Sequence, residues 1–282
     1  MFENRAKKMI SKTIILSVGW MLLASSAFAH DHSESEDLLQ SVLAGDHRSD
    51  KNKARDQYRH PLETLTFFGI EPDMTVVEIS PGGGAWYTEV LAPYLKDKGE
   101  FYAAGADPGS SIEYFQKTAK KFKNKMQSND VYSNVKVVSF APPKKIEIAP
   151  AGTADRVLTF RNIHNWMSNG TTDDVYAAMY KVLKPGGILG VVEHRGNPDT
   201  EQDPKAGSGY VNQGVAIAQA EKAGFKLLET SEVNANAKDD KDHPAGVWTL
   251  PPRLKLEDKD KEKYLAIGES DRFTLKFIKP VK

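Results

Sequence analysis

The chain contains no cysteine, which excludes disulfide frameworks, thiolate metal sites and cysteine nucleophiles; any chemistry must come from other side chains. It also lacks net charge, with 38 Lys and Arg against 38 Asp and Glu in 282 residues. No overall field therefore draws it to nucleic acid or to an anionic membrane surface. Long apolar runs are missing after residue 29, so nothing beyond that point is long enough to span a bilayer. What is present is a hydrophobic content of 40%, enough for a packed globular core.

The one extended apolar run, Thr13 to Ala29, follows Arg5, Lys7, Lys8 and Lys12 and ends in Ala27-Phe28-Ala29 before the polar HDHSESED. A basic start, an apolar middle and a small-x-small end make a signal peptide cleaved after Ala29. The expectation is an exported protein, periplasmic or extracellular, with no stable membrane insertion after cleavage. Its mature chain carries 34 basic and 37 acidic residues. Cleavage exposes His30-Asp31-His32, a terminus able to chelate Cu(II) or Ni(II) but read more simply as a polar tail.

Residues 30–60 form a polar extension containing the charged run HRSDKNKARDQYRHP, where a loose start and one or two helices are expected and no motif resides. From residue 61 to 282 helical and strand-like runs alternate. LETLTFFGI reads as a helix, TVVEIS as a buried strand, AWYTEVLAPYL as a helix and EFYAAGAD as a strand. The alternation continues through SIEYFQKTAKKFKNKM, NVKVVSF, ADRVLTF, DDVYAAMYKVL, ILGVVEH, VNQGVAIAQAEKAG and FKLLETSEV to a final strand, RFTLKFIKP. Strands and helices at this spacing predict a mostly parallel sheet covered on both faces. The stretch from about 234 to 270 is too long for a structureless loop and is expected to pack as a lid or an edge element.

The turn after the first strand carries the chemistry. In VVEISPGGGAWYTEVL, glycines let the backbone approach a ligand while amides point at it. A dinucleotide fingerprint needs a third glycine where Tyr87 stands, which weakens NAD binding. The turn instead resembles motif I of the class I S-adenosylmethionine (SAM) dependent methyltransferases. The acidic residue in GADPG, the strand ADRVLTF, the run VLKPGGILGVV and the AGF turn follow in that family's order. RNIHNW, DHPAGVWTLPP and YLAIGESDR extend the likeness to predicted exported bacterial methyltransferases.

The resemblance implies a Rossmann-like α/β fold, with a mostly parallel seven-stranded sheet, an antiparallel last strand and SAM as cofactor. Onto this chain it carries Glu78 as the acid closing the first strand, and Ser80, Pro81, Gly82 and Gly84 as the cofactor turn. Asp107 becomes the acceptor for the ribose hydroxyls, although an Asp before Pro108 also suits a plain turn. Ser80 stands where the commonest motif has a glycine, and Phe140-Ala141-Pro142 lacks an acidic residue for the adenine.

Ligands of open α/β sheets bind beyond the carboxyl ends of the strands, and here those ends read RNIHNW and EHR. His164 is the candidate general base, Asn162 an orienting or cofactor contact, and Arg161 a clamp for a substrate carboxylate or phosphate. Trp166 is a candidate wall, and His194, Arg195, His243 and Trp248 are candidate substrate contacts. For His164 a loop-capping role, and for His194 and Arg195 a solvated strand end, remain open. His164, Glu193 and His194 make a conceivable ligand set, but no close spacing supports a metal. Two functions follow: a methyltransferase acting on a small-molecule acceptor outside the cytoplasm, or a non-catalytic ligand-binding module on the same fold. The aromatics Trp248 and Tyr264 in the insertion suggest a partly apolar small substrate.

Overall fold

The computed structural model describes residues 34–281; the expected signal peptide and the His30-Asp31-His32 terminus lie outside the described residues. Seven strands form one sheet: β1 (Thr75–Ile79), β2 (Glu100–Gly105), β3 (Lys136–Ser139), β4 (Ala154–Phe160), β5 (Leu183–His194), β6 (Lys226–Ser231) and β7 (Arg272–Ile278). Their order is β3-β2-β1-β4-β5-β7-β6. β7 runs antiparallel to both its neighbours, and the remaining pairs are parallel. The expected Rossmann-like sheet with an antiparallel last strand is the one observed.

The central strands are apolar on both faces because helices cover both. Val77, Ile79 and Val157 point into one core cluster, while Val76 and Leu158 point into the other, as the alternation of a strand requires. The first core is closed by α7 (Ile163–Asn169), α8 (Thr172–Val182) and α9 (Gln213–Lys222). The second is closed by α1 (34–44), α4 (Pro61–Phe68), α5 (Thr88–Leu95) and α6 (Glu113–Met126). Pro61 opens α4 at its first turn and Gly69, at φ 64°, ends it with amide bonds to Leu65 and Thr66.

Three elements differ from the expectation. The helix after the cofactor turn starts only at Thr88, since residues 82–87 remain turn. RNIHNW, read as a strand end, is mostly helix: Ile163 begins the short α7. The polar extension is packed rather than loose, with α2 (Asp50–Lys53) and α3 (Asp56–Arg59) between α1 and α4. There Leu39 and Val42 join the core, Arg48 forms a bidentate pair with Asp56 at 2.7 and 2.8 Å, and Asn52 Nδ2 donates to Glu89 at 2.8 Å. The extension thus holds α5 against the sheet.

Candidate active site

Chain connections leave β1 toward β2 and β3 on one side and proceed from β4 on the other, so a crevice opens beyond the carboxyl ends of β1 and β4. The Ser80–Gly84 turn leaves β1 there, and Arg161-Asn162 leaves β4. Ser80, Ala85 and Arg161 hold left-handed backbone at φ 50°, 50° and 62°, a conformation of higher energy for residues with a Cβ. Their clustering at this crevice marks backbone shaped for something other than packing.

The crevice offers room where the sequence has glycine. A Cβ placed on Gly82, on Gly84, or on Gly105 at the end of β2 would meet nothing within 4 Å. Gly82 also needs glycine for its φ of 68°. Two carboxylates border this space. Glu78 is buried and accepts from Thr88 Oγ1 at 2.6 Å. Burial pushes its pKa up to about 7, against the Thr88 bond and the positive field of Arg161. Asp107 accepts the Gly109 amide at 3.0 Å and Lys145 Nζ at 2.6 Å, bonds that hold its pKa below the ordinary value, the lysine bond being the stronger cause. Each of its oxygens keeps a second lone pair. Open glycines between two acids fit the ribose and methionine portions of SAM, where Asp107 would accept from hydroxyls and Glu78 from the amine.

A second group of polar residues lies across β4 and β5. Glu193, buried at the end of β5, accepts the Ile163 amide at 2.6 Å, the His194 amide at 2.8 Å and His164 Nδ1 at 3.1 Å, with the His164 amide at 3.4 Å. One carboxylate thus caps the first turn of α7 and receives the imidazole of its second residue. Because the carboxylate can only accept, His164 Nδ1 carries a proton toward it, and Nε2 has no hydrogen-bond partner among the described residues.

The His194 ring lies 5.5 Å from that of His164, and its Nδ1 is 2.5 Å from Ser270 Oγ. Burial, then the fields of His164, Arg272, Arg161 and Arg59, lower the His194 pKa well below its ordinary value, so it is neutral at pH 7. Trp248, brought in by the insertion, packs edge-on to His164 at 6.0 Å. His164, Glu193 and His194 come within metal-ligand reach of one another. Glu193, however, is already surrounded by four N–H donors, which suits a group that orients its neighbours better than a ligand.

The remaining candidates are placed differently. Asn162 donates to Ile79 O at 3.0 Å and Thr159 Oγ1 at 3.1 Å, tying β1 to β4 at the crevice floor. Trp166 is not a pocket wall: it is buried in the core, edge-on to Tyr176 at 5.8 Å. Arg195 is engaged on the rim by Glu232 at 2.5 Å and Asp271 at 3.5 Å. His243 is buried against Asp239 at 2.8 Å, and Asp239 also binds the Tyr210 hydroxyl and the Asp271 amide. That hub fastens the insertion to the start of β7. The insertion itself packs across the strand ends, with Asn234 bonded to Thr64 and Thr274, and contains α10 (Lys261–Ile267). Tyr264 faces His243 rather than the crevice.

Sequence reasoning missed Arg55, Arg59, Glu269 and Arg272, whose charges lie close enough to Arg161 to act on it or to feel it. Glu269 receives Arg55 Nε at 2.5 Å, Arg59 Nε at 3.3 Å and a close contact from Arg272. The spacing of Arg55 and Arg59 within the charged run was the available signal: i and i+4 on a helix share a face.

No family model matches the chain, and no curated protein matches it in sequence. Solved structures match it in fold. The chain superposes on the [4+2]-cyclase SpnF with TM-score 0.56, 15% identity, and coverage of 85% of this chain and 86% of that one. A geranyl diphosphate C-methyltransferase from Streptomyces coelicolor, solved with Mg2+, geranyl diphosphate and S-adenosylhomocysteine, gives 0.54 at 11% identity over 85% and 87%. A SAM-dependent methyltransferase from Aquifex aeolicus gives 0.51 at 17% over 80% and 93%. The fold is that of the Rossmann-like methyltransferases. At these identities the likeness concerns architecture, and the chemistry rests on the side chains described above.

Proposed function

We propose that this protein is an exported SAM-dependent methyltransferase acting on a small-molecule acceptor. The observation that carries the reading is the open cradle over Gly82, Gly84 and Gly105, bordered by Glu78 and Asp107, at the switch point of the sheet. In a methyltransferase of this fold the bound cofactor supplies an electrophilic methyl group on a sulfonium. The chain's own part is to align the acceptor and manage its proton. Glu193 holds His164 with Nε2 unprotonated, and Nε2 takes the proton of an acceptor hydroxyl or amine as that atom is alkylated. Trp248 covers the imidazole and limits water, while neutral His194 beside it adds a second polar contact without competing charge.

Calorimetric titration of the purified protein with SAM and S-adenosylhomocysteine tests the reading. Micromolar binding of both is expected, and absence of either binding would reject it. Fractionation of cells making the full chain, with N-terminal sequencing of the mature protein, checks export and cleavage after Ala29.

A second reading, a ligand-binding module without methyl transfer, draws support from Lys145 Nζ on Asp107 at 2.6 Å, where a ribose would bind. SAM binding without turnover of any acceptor would favour it.

A further inference from the structure

Four arginines and one carboxylate gather on the β4–β5–β7 side of the crevice. Arg59 precedes α4, Arg161 follows β4, Arg272 opens β7 opposite His194, and Arg55 completes the group. Arg59, Arg272 and Glu269 are only 4%, 2% and 2% exposed. Among the described residues Glu269 is the one carboxylate bonded to the group, and the arginine charges hold its pKa well below the ordinary value despite burial. Among the described residues, four guanidinium groups thus share one bonded carboxylate. Such charge is costly unless an anion accompanies it.

The hydrogen bonding is incomplete in the same place. Arg59 Nη1 and Arg272 Nε are buried donors without a hydrogen-bond partner among the described residues. Arg161 is half-buried, and its guanidinium makes no hydrogen bond or ion pair with the described residues. Its pKa is lowered to about 10, by burial and then by the field of Arg272, so it stays protonated at neutral pH. A purely structural arginine reaches carbonyls or carboxylates; Arg161 reaches neither, and its left-handed backbone holds it in the crevice.

The position is also informative. The open glycines and Asp107 lie on the β1–β2 side, whereas Arg272 pairs with His194 across β5 and β7, and Arg272, Arg161 and Arg59 lower the His194 proton affinity; of these, Arg161 also acts on Glu78. A single methionine carboxylate on the cofactor side would leave most of this charge unmatched.

We propose that this arginine group is an oxyanion site, and that the acceptor is a small molecule bearing a carboxylate or phosphate held by Arg161 with the unpaired donors of Arg59 and Arg272. The role as acceptor site rests on the methyltransferase reading; the anion site itself does not. Arg161 is the accessible fork, and planar guanidinium donors match either oxyanion in bidentate fashion. Binding there brings the rest of the acceptor toward His164 and Trp248.

Calorimetric titration with inorganic phosphate and, separately, malonate tests this, each with and without saturating SAM and at constant ionic strength. Saturable binding of one probe is expected, the tighter probe naming the oxyanion class, with the same affinity when SAM is present. R161M should weaken that binding by about tenfold or more, and R161K should recover part of it. R161M should also raise the thermal unfolding midpoint of the anion-free protein, since it removes an unpaired charge from among like charges; a structural arginine would give the opposite shift.

Failure of both probes to bind, competition of either with SAM, or a lowered midpoint with unchanged anion affinity would each overturn the proposal. Anion binding without SAM binding would retain the site and reject the methyltransferase reading. SAM binding without anion binding would do the reverse.

Discussion

Glu193 accepts His164 Nδ1 on one carboxylate oxygen at 3.1 Å and the Ile163 amide on the other at 2.6 Å, so one side chain both starts a helix and sets a tautomer. The two roles cannot be separated by a conservative change. E193Q turns one acceptor into an NH2 group facing N–H donors in a site without solvent. The expected loss of stability is about 3 kcal/mol, read from denaturant midpoints, together with loss of any methyl transfer.

His164 separates base catalysis from binding. H164A should lower turnover by about a hundredfold to ten-thousandfold while SAM affinity, measured by calorimetry, stays within about twofold. H164N should fare no better, because it restores polarity without a proton acceptor of suitable basicity. A variant with normal turnover at saturation and weakened SAM binding would make His164 a cofactor residue.

Cofactor binding should depend on pH if the methionine amine is held by Glu78. Its folded pKa is raised to about 7 by burial, so below pH 7 the carboxyl is neutral and cannot pair with the methionine ammonium. SAM affinity should rise with pH up to about 7 and level off above it, with a slope of at most about tenfold per unit below. E78Q should bind more weakly and show a flat profile. The same shift has an opposite consequence for the ligand-free protein: the Glu78 contribution to stability is full below the unfolded pKa and is lost as pH rises toward 7.

Gly84 gives the cleanest test of the cradle. Its Cβ position is empty and its φ is not left-handed, so G84V should fold with an unchanged melting temperature and lose SAM binding. Gly82→Val tests less, since strain at φ 68° would lower stability as well.

The insertion from 234 to 270 is not a detachable lid. Glu269 binds three arginines, and E269A would leave the buried Arg59 and Arg272 without their carboxylate. A destabilisation of about 3–5 kcal/mol is expected from thermal or urea unfolding. Deleting the whole segment should abolish folding rather than spare cofactor binding.

Local sequence sufficed wherever the information was local. Alternating runs such as TVVEI and ADRVLTF specify buried strands, and the glycines after Ile79 specify a turn that a ligand can approach, because side-chain period and φ preference are properties of neighbouring residues. The end of β5 was legible as polar, EHR, but not the inward aim of Glu193 or its capture of α7, since that helix begins 30 residues earlier in the chain. Trp166 and Trp248 carry the same side chain, and only packing sends one into the core and the other against His164. The arginine group shows the limit most plainly. Arg55 and Arg59 lie in a charged extension read as a loose start without a motif, yet their partner Glu269 stands 214 and 210 residues away, and the burial that decides what these charges do is created only when the insertion closes over the N-terminal extension.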